Sequence, residues 1–131
     1  PTMPKVAYST MRPRPLKPVL WVGSSLDDLR ACPEAVQDVV GYALFLAQEG
    51  GQHPAAKRLK GDLRGLVEVV EDHESGTYRA VYTARLANAI YVLHVFQKKA
   101  TRGIATPKHE LDLVKARLRW AEQDADAEAG Q

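Results

Sequence analysis

The amino-acid sequence predicts one α+β domain: a small, mostly antiparallel sheet with two N-terminal helices packed on one face and a C-terminal helix. Three observations lead to this class. Two helix-type segments precede residue 50, three strand-type segments follow one another between residues 66 and 96, and a capped helical segment comes last. A chain of 131 residues is long enough for one hydrophobic core but not for two.

Composition narrows the class of protein further. Hydrophobic residues make up 45% of the chain and charged residues 26%, which is typical of a soluble globular domain. The single cysteine, Cys32, excludes an intrachain disulfide and fits a reducing compartment. No apolar run is long enough to span a membrane, and the first residues lack the apolar centre of a secretory signal. We therefore expect a cytoplasmic protein with no membrane association.

The net charge of +2 hides an uneven distribution. Residues 1–17 carry four basic side chains and no acid, residues 57–119 carry 13 basic and 7 acidic ones, and residues 121–131 carry four acids and no base. These shifts predict a flexible, basic, proline-rich arm at 1–17, a domain at 18–120 and an acidic tail at 121–131. A basic second half favours a polyanionic partner such as nucleic acid, although surface lysines are common in soluble domains.

The first part of the chain predicts one strand and two helices. Residues 19–22 form a short apolar run that ends at Gly23, as expected for a strand. Ser24 or Ser25 can cap a short helix, and Pro33 suits the start of a second one. We expect both helices to cover one face of the sheet, because the second has a continuous apolar face at helical spacing: Val36, Val39, Val40, Ala43, Leu44 and Ala47.

A further apolar group, Tyr42, Phe45 and Leu46, widens the apolar surface of the second helix. A helix laid on a sheet cannot bury both of its sides, so this group needs another cover. We expect Phe45 to be buried within the monomer beneath the C-terminal helix, whose residues Leu111, Val114 and Leu118 share one face. The alternative is that the patch belongs to a partner chain.

The second part predicts a meander of three strands at residues 66–72, 78–83 and 88–96, preceded by a loop at 53–65 with four basic side chains, Lys57, Arg58, Lys60 and Arg64. Side chains alternate between the faces of a strand. Tyr78, Ala80 and Tyr82 therefore point to the helices, and Arg79 points to the open face. There it could contact a phosphate or form a salt bridge with Glu68, and the sequence leaves both open.

Searches for established catalytic motifs find no phosphate-binding loop, no zinc motif, no paired cysteines and no nucleophile elbow. We therefore expect no cofactor and no metal ion. His94 is expected to share a strand face with Val92 and Phe96, where a histidine serves either packing or catalysis. The pattern so far indicates a nucleic-acid partner more clearly than any reaction.

Several segments together resemble the HigB/RelE toxin superfamily, and in particular its phage-derived HigB-like branch. They are Leu59-Lys60-Gly61, Leu66-Val67-Glu68, Tyr78 to Tyr82, Val92 to Lys99, and Thr106-Pro107 followed by the helix from Glu110 to Leu118. The resemblance covers about residues 18 to 120, and the Phe-x-Lys-Lys sequence before a Thr-Pro helix is its most specific part.

The resemblance implies a RelE-like fold and a type II toxin, neutralised by a cognate antitoxin that is a small helix-turn-helix protein. Such toxins cleave mRNA on the ribosome without a metal ion, through attack of the ribose 2′-hydroxyl on the adjacent phosphate. It also implies catalytic roles for Arg79 and for the pair Lys98 and Lys99. Lys57 and Lys60 match the family's RNA-binding loop, and we add four further RNA-binding candidates: Arg58, Arg64, Arg102 and Lys108.

The chain departs from the family pattern in two places. Glu68-Val69-Val70 lacks the arginine that many relatives carry in this strand, and Lys108-His109 stands where relatives have a tyrosine. His109 and His94 are the candidate general bases, because a neutral imidazole accepts a proton near neutral pH. Two other functions remain open: a ParE-like toxin that poisons gyrase without cleaving RNA, and a non-catalytic RNA- or protein-binding module of the same fold.

Overall fold

The structure, a computed structural model, describes residues 15–98 and 106–129. Eight main elements follow one another: β1 (Val19–Trp21), α1 (Ser25–Arg30), α2 (Glu34–Gln48), β2 (Ala56–Arg58), β3 (Val67–His73), β4 (Gly76–Leu86), β5 (Ala89–Lys98) and α3 (Lys108–Ala129). The predicted α+β class is confirmed. Strand β2 is an addition, because it lies within the segment that the sequence predicts to be a loop.

The sheet has five strands in the order β1-β5-β4-β3-β2. Strand β1 runs parallel to β5, and every other pair is antiparallel. The two edge strands are only three residues long, whereas the central strands β4 and β5 have 11 and 10 residues. The two longest strands therefore carry three of the predicted catalytic residues, Arg79, His94 and Lys98.

Helices α1 and α2 cover one face of the sheet, as predicted. Leu29, Val40 and Leu44 pack there against strand residues that include Ala80 and Tyr82. The predicted alternation of β4 is correct, since Tyr78, Ala80 and Tyr82 all belong to this core while Val81 belongs to the other. Arg79 accordingly lies on the face away from α1 and α2.

Helix α3 packs on the opposite face of the sheet, where Val114, Ala121 and Ala125 meet Tyr91 and Leu93. The prediction that α3 covers the outer side of α2 is therefore wrong. Helix α3 lies here because the central strands are apolar on both faces: every residue of β5 from Ala89 to Phe96 is buried. The second apolar face of the sheet therefore also needs a cover, and α3 supplies it.

The outer side of α2 is consequently open, and the predicted burial of Phe45 is wrong. Phe45 is 40% exposed and Tyr42 is 54% exposed, and their rings lie 6.5 Å apart in a stacked arrangement. Leu44, the neighbour of Phe45 in sequence, is only 4% exposed. The apolar stripe that the sequence predicts is thus buried as expected, while the group that widens it faces outward.

Helix α3 continues past residue 120, where the sequence predicts the start of an acidic tail. Asp124 accepts a hydrogen bond of 2.8 Å from the hydroxyl of Tyr91, which is fully buried in the sheet. Burial first, and then this carboxylate, raise the pKa of Tyr91 to about 12. Among the described helices, none is long and apolar enough to cross a membrane.

A register shift in the centre of the sheet separates two neighbours on β5. Val81 of β4 pairs with His94, but the next residue, Tyr82, pairs with Val92, so Leu93 is an extra residue on β5. His94 therefore faces the α3 side, whereas Val92 belongs to the core under α1 and α2. The prediction that His94 and Val92 share a face is wrong, because strict alternation fails at a bulge.

Two neighbouring substitutions test how α2 is buried. We expect Leu44→Ala to lower the free energy of unfolding by about 2–5 kcal/mol, because it leaves a cavity in the core. Phe45→Ala removes a side chain that is already partly exposed to water, so it should lower the free energy of unfolding by clearly less. Urea denaturation of the two variants measures both effects, and an equal or larger loss for Phe45→Ala would contradict the arrangement of α2 and α3.

Candidate functional site

Cross-strand pairing places several predicted site residues on one side of the sheet, beside the start of α3. Lys57 pairs with Glu68, Arg79 pairs with Phe96, and Lys98 pairs with Thr77. Residues that pair directly across strands share a face. We call the surface formed by Lys57, Glu68, Arg79, Phe96 and Lys98 the Arg79 face.

Arg79 is held by Glu68 at the centre of this face. Its Nη1 donates a hydrogen bond of 2.7 Å to Oε1 of Glu68, whose side chain is only 7% exposed. The salt bridge that the sequence left open is therefore present. One carboxylate does not saturate a guanidinium, which has five N–H donors. Arg79 Nε is buried and has no hydrogen-bond partner among the described residues.

Two lysines lie on the same face as Arg79. Lys57 Nζ is 3.8 Å from Oε1 of Glu68, and the lysine side chain remains 63% exposed. Lys98 is the last residue of β5, two positions after Phe96 and on the same side of the strand. Glu68 thus contacts two cations, and Lys98 adds a third to the same side of the sheet, where Asp72 pairs with Thr77 beside it. The three cations give the Arg79 face the charge that a phosphate requires.

His94 lies next to this face, but both of its ring nitrogens are engaged. Its Nε2 is 3.0 Å from Oε1 of Glu110, and its Nδ1 is 3.4 Å from Nη1 of Arg117. A guanidinium can only donate, so Nδ1 is the acceptor and Nε2 carries the proton that is given to Glu110. His94 also stacks on Phe96, with ring centroids 4.7 Å apart. In this arrangement it has no free nitrogen for a substrate.

Arg117 reaches His94 because Gly23 leaves room for it. A Cβ at position 23 would lie 2.8 Å from the guanidinium carbon of Arg117, and Gly23 has a φ of +57°. The guanidinium donates to the carbonyl oxygen of Leu93 at 2.9 Å and to Oγ of Ser24 at 3.2 Å. Arg117 therefore ties α3 to the bulge of β5 and to the segment that follows β1.

The start of α3 brings the second histidine close to the first. His109 is 80% exposed, and its Nε2 is 3.6 Å from the same Oε1 of Glu110 that accepts from His94. Lys108 is 88% exposed and forms an ion pair of 3.0 Å with Asp112. Of the two predicted general bases, His109 is thus the accessible one, with a carboxylate beside it that can orient its ring.

The structure does not gather all predicted RNA-binding residues at one place. Lys57 lies on the Arg79 face, but Arg58 follows it on the strand and so points to the other side of the sheet. Arg58 and Arg64 line a separate cavity, and Lys60 is exposed just before a short 3-10 helix. Lys99 and Arg102 lie outside the described residues.

A profile of the family described as phage-derived protein Gp49-like (DUF891) matches residues 27–119. The chain belongs to this family. The match runs from the first turn of α1 through α2 and strands β2 to β5 to the middle of α3. It confirms the resemblance to the phage-derived branch of the HigB/RelE toxin superfamily.

One solved structure is also similar to this Gp49-like protein. It is a chain of the toxin–antitoxin complex RelBE2 from Mycobacterium tuberculosis, with 19% sequence identity and a TM-score of 0.44. The similarity covers 65% of the present chain and 94% of the other. No curated protein sequence matches the chain.

Sequence reasoning missed two residues of the Gp49-like site, Glu110 and Arg117. Both contact His94, and they are seven residues apart, so two helical turns place them on the same side of α3. That spacing was a usable signal once His94 was assigned to the α3 side. Within the described residues, no group of three His, Cys, Asp or Glu side chains could hold a metal ion.

The ion pair between Arg79 and Glu68 is expected to contribute to the stability of the fold. Arg79→Ala leaves the buried carboxylate of Glu68 with only the exposed Lys57, 3.8 Å away, and we expect the free energy of unfolding to fall by up to about 3–5 kcal/mol. The double variant Arg79→Ala/Glu68→Gln removes both charges and should recover much of this loss. Urea denaturation of the two single variants and the double variant measures the coupling. Strictly additive effects would show that the pair is not coupled.

Proposed function

We propose that this Gp49-like protein is the toxin of a toxin–antitoxin pair and that it cleaves mRNA on the translating ribosome without a metal ion. The observation that carries the proposal is the Arg79 face: an arginine fixed by Glu68 on a central strand, with Lys57 and Lys98 beside it. Membership of the family supplies the toxin class, and the cationic surface fits the charge of an RNA backbone.

The proposed reaction needs positioning and positive charge more than it needs a covalent catalyst. The ribose 2′-oxygen attacks the neighbouring phosphorus, the 5′-oxygen of the next nucleotide leaves, and a 2′,3′-cyclic phosphate remains. Negative charge on the non-bridging oxygens increases in the transition state. Fixed cations placed at these oxygens stabilise it, and a rigid sheet that holds the substrate in line removes part of the entropic barrier.

The contacts of each side chain suggest its role. Arg79, oriented by Glu68, would donate to the non-bridging oxygens, and Lys98 together with Lys99 would bind the flanking phosphates. His109 is the candidate that takes the proton of the 2′-hydroxyl, because its ring is exposed beside Glu110. His94 would act as a positioning residue, since it holds Glu110 and Phe96 in place.

The cognate antitoxin would prevent this reaction by covering the same surface. An acidic segment laid on the Arg79 face would meet the three cations that the proposal assigns to RNA, and so would exclude RNA by competition. A small helix-turn-helix protein encoded beside this chain is the expected source of that segment.

Brief expression of the protein without a partner tests the activity. We expect growth to stop and new 5′ ends to accumulate within translated codons of mRNA, because cleavage depends on translation. Sequencing of transcript ends before and after induction measures this. Intact transcripts with DNA breaks at gyrase sites would support a gyrase poison, and normal growth at confirmed soluble expression would support a non-catalytic module.

The role of Arg79 can be separated from its structural pairing. In a Glu68→Gln background, Arg79→Ala leaves no stranded carboxylate, so loss of activity reports on the cation itself. We expect cleavage to fall by about 10²–10³-fold, as when one donor to a developing oxyanion is removed. Glu68→Gln alone, which keeps Arg79, is the matched control and should retain most of the activity. Equal activity of Glu68→Gln and of the double variant Arg79→Ala/Glu68→Gln would show that Arg79 has no role in cleavage.

A further inference from the structure

A second group of cations lies at the other end of the sheet. They surround a cavity of about 450 Å³ between the end of α2 and the segments that precede β3 and end β4. Its basic lining consists of four side chains, Lys17, Arg58, Arg64 and Arg85. We call it the arginine cavity. Its volume falls within the range of about 300–1,000 Å³ that is usual for ligand sites.

The four cations of this cavity are not paired with carboxylates. No acidic residue lines it, and none of its four cations forms a salt bridge with a carboxylate of the described residues. All 16 acidic side chains of the sequence lie within the described residues, so these contacts account for every Asp and Glu of the chain.

Local backbone geometry lets one of the arginines lie close to the cavity wall. Gly65 has a φ of +96°, and a Cβ at this position would lie 2.9 Å from Nη1 of Arg85. The guanidinium of Arg85 therefore lies against the backbone of Gly65, where a larger residue would displace it. Arg64 and Arg85 also line an adjoining cavity of about 260 Å³, whose lining includes one carboxylate, that of Glu122. The two arginines therefore lie between two concave surfaces.

The arginine cavity is distinct from the Arg79 face. Its lining comes from both sides of the sheet, since Tyr82 and Ala84 belong to the core under α1 and α2 and Leu59 and Leu66 to the core under α3, so the separation from Arg79 is one of distance along the strands. Arg85 follows Arg79 by six residues on β4, which corresponds to about 20 Å along a strand. One nucleotide cannot contact both places, so a ligand of the cavity is either a separate molecule or a distant part of the same polymer.

We propose that the arginine cavity binds phosphates of an RNA backbone, as a second contact remote from Arg79. Three of its four cations are arginines, whose planar fork matches the two oxygens of a phosphate. A peptide partner would need exposed apolar anchors, but Leu66 and Tyr82 of the lining are each only 1% exposed, and Leu59 is partly buried. The inference rests on the proposed function in one respect: it takes RNA as the partner.

Salt dependence of RNA binding tests the cavity. The probe is a short single-stranded RNA with 2′-O-methyl riboses, which cannot be cleaved through the 2′-hydroxyl, and the parallel arm is an RNA duplex. For Arg64→Gln/Arg85→Gln, the slope of log affinity against log salt should become shallower by about 1.4 for the single strand, or about 0.7 per lost contact. Fluorescence anisotropy measures it, and the form with the larger change identifies the kind of RNA that is bound.

The control variant is Arg30→Gln/Arg119→Gln, which removes the same charge from exposed positions on α1 and α3 and should keep the wild-type slope. If Arg64→Gln/Arg85→Gln does not fold, Lys17→Gln/Arg58→Gln tests the opposite wall and should show the same reduction. An unchanged slope in the cavity variants overturns the inference, as does wild-type protein without salt-dependent RNA binding. Loss of antitoxin binding with an unchanged RNA slope would assign the cavity to a protein instead.

Because the probe cannot be cleaved, this result is independent of the proposed reaction. A shallower slope together with intact transcripts after induction would support RNA binding by the cavity and contradict the nuclease activity. An unchanged slope together with cleaved transcripts would contradict RNA binding by the cavity and support the nuclease activity.

Discussion

The two-sided burial of the central strands is the constraint on which the rest of this fold depends. Every residue of β5 from Ala89 to Phe96 is buried, so the sheet needs a helical layer on each face. Helices α1 and α2 supply one layer, and α3 supplies the other. Because α3 begins beside the middle of β5, its first turn carries Glu110 and His109 to the edge of the Arg79 face.

Within this frame, two carboxylates organise the side chains of the site. Glu68 holds Arg79 and attracts Lys57, and Glu110 accepts from His94 and lies beside His109. Glu68 partly offsets the positive charge of Arg79 and Lys57, and each carboxylate fixes a side chain in one orientation. A positively charged surface that is preorganised in this way can stabilise a transition state without reorganising at the moment of reaction.

The sequence was sufficient for the fold class and for the face on which Arg79 lies, because alternation on β4 is regular as far as Val81. The prediction that Val92 and His94 share a face failed, because the extra residue Leu93 reverses the alternation and no pattern of residue types predicts a bulge. It also failed for Phe45, since the stripe of α2 shows only that apolar residues need a cover and not which element covers them. The link from His94 to Glu110 and Arg117 required the position of α3, which is a tertiary contact.

The central claim, that the ribose 2′-hydroxyl is the nucleophile in cleavage of ribosome-bound mRNA, can be tested on one nucleotide. After the cleavage position in a defined mRNA is mapped in a reconstituted translation reaction, that nucleotide is replaced by its 2′-deoxy form. The account predicts that cleavage at this position disappears while the unmodified message gives a 2′,3′-cyclic phosphate and a 5′-hydroxyl. Cleavage of the deoxy-substituted message at the same bond would contradict it.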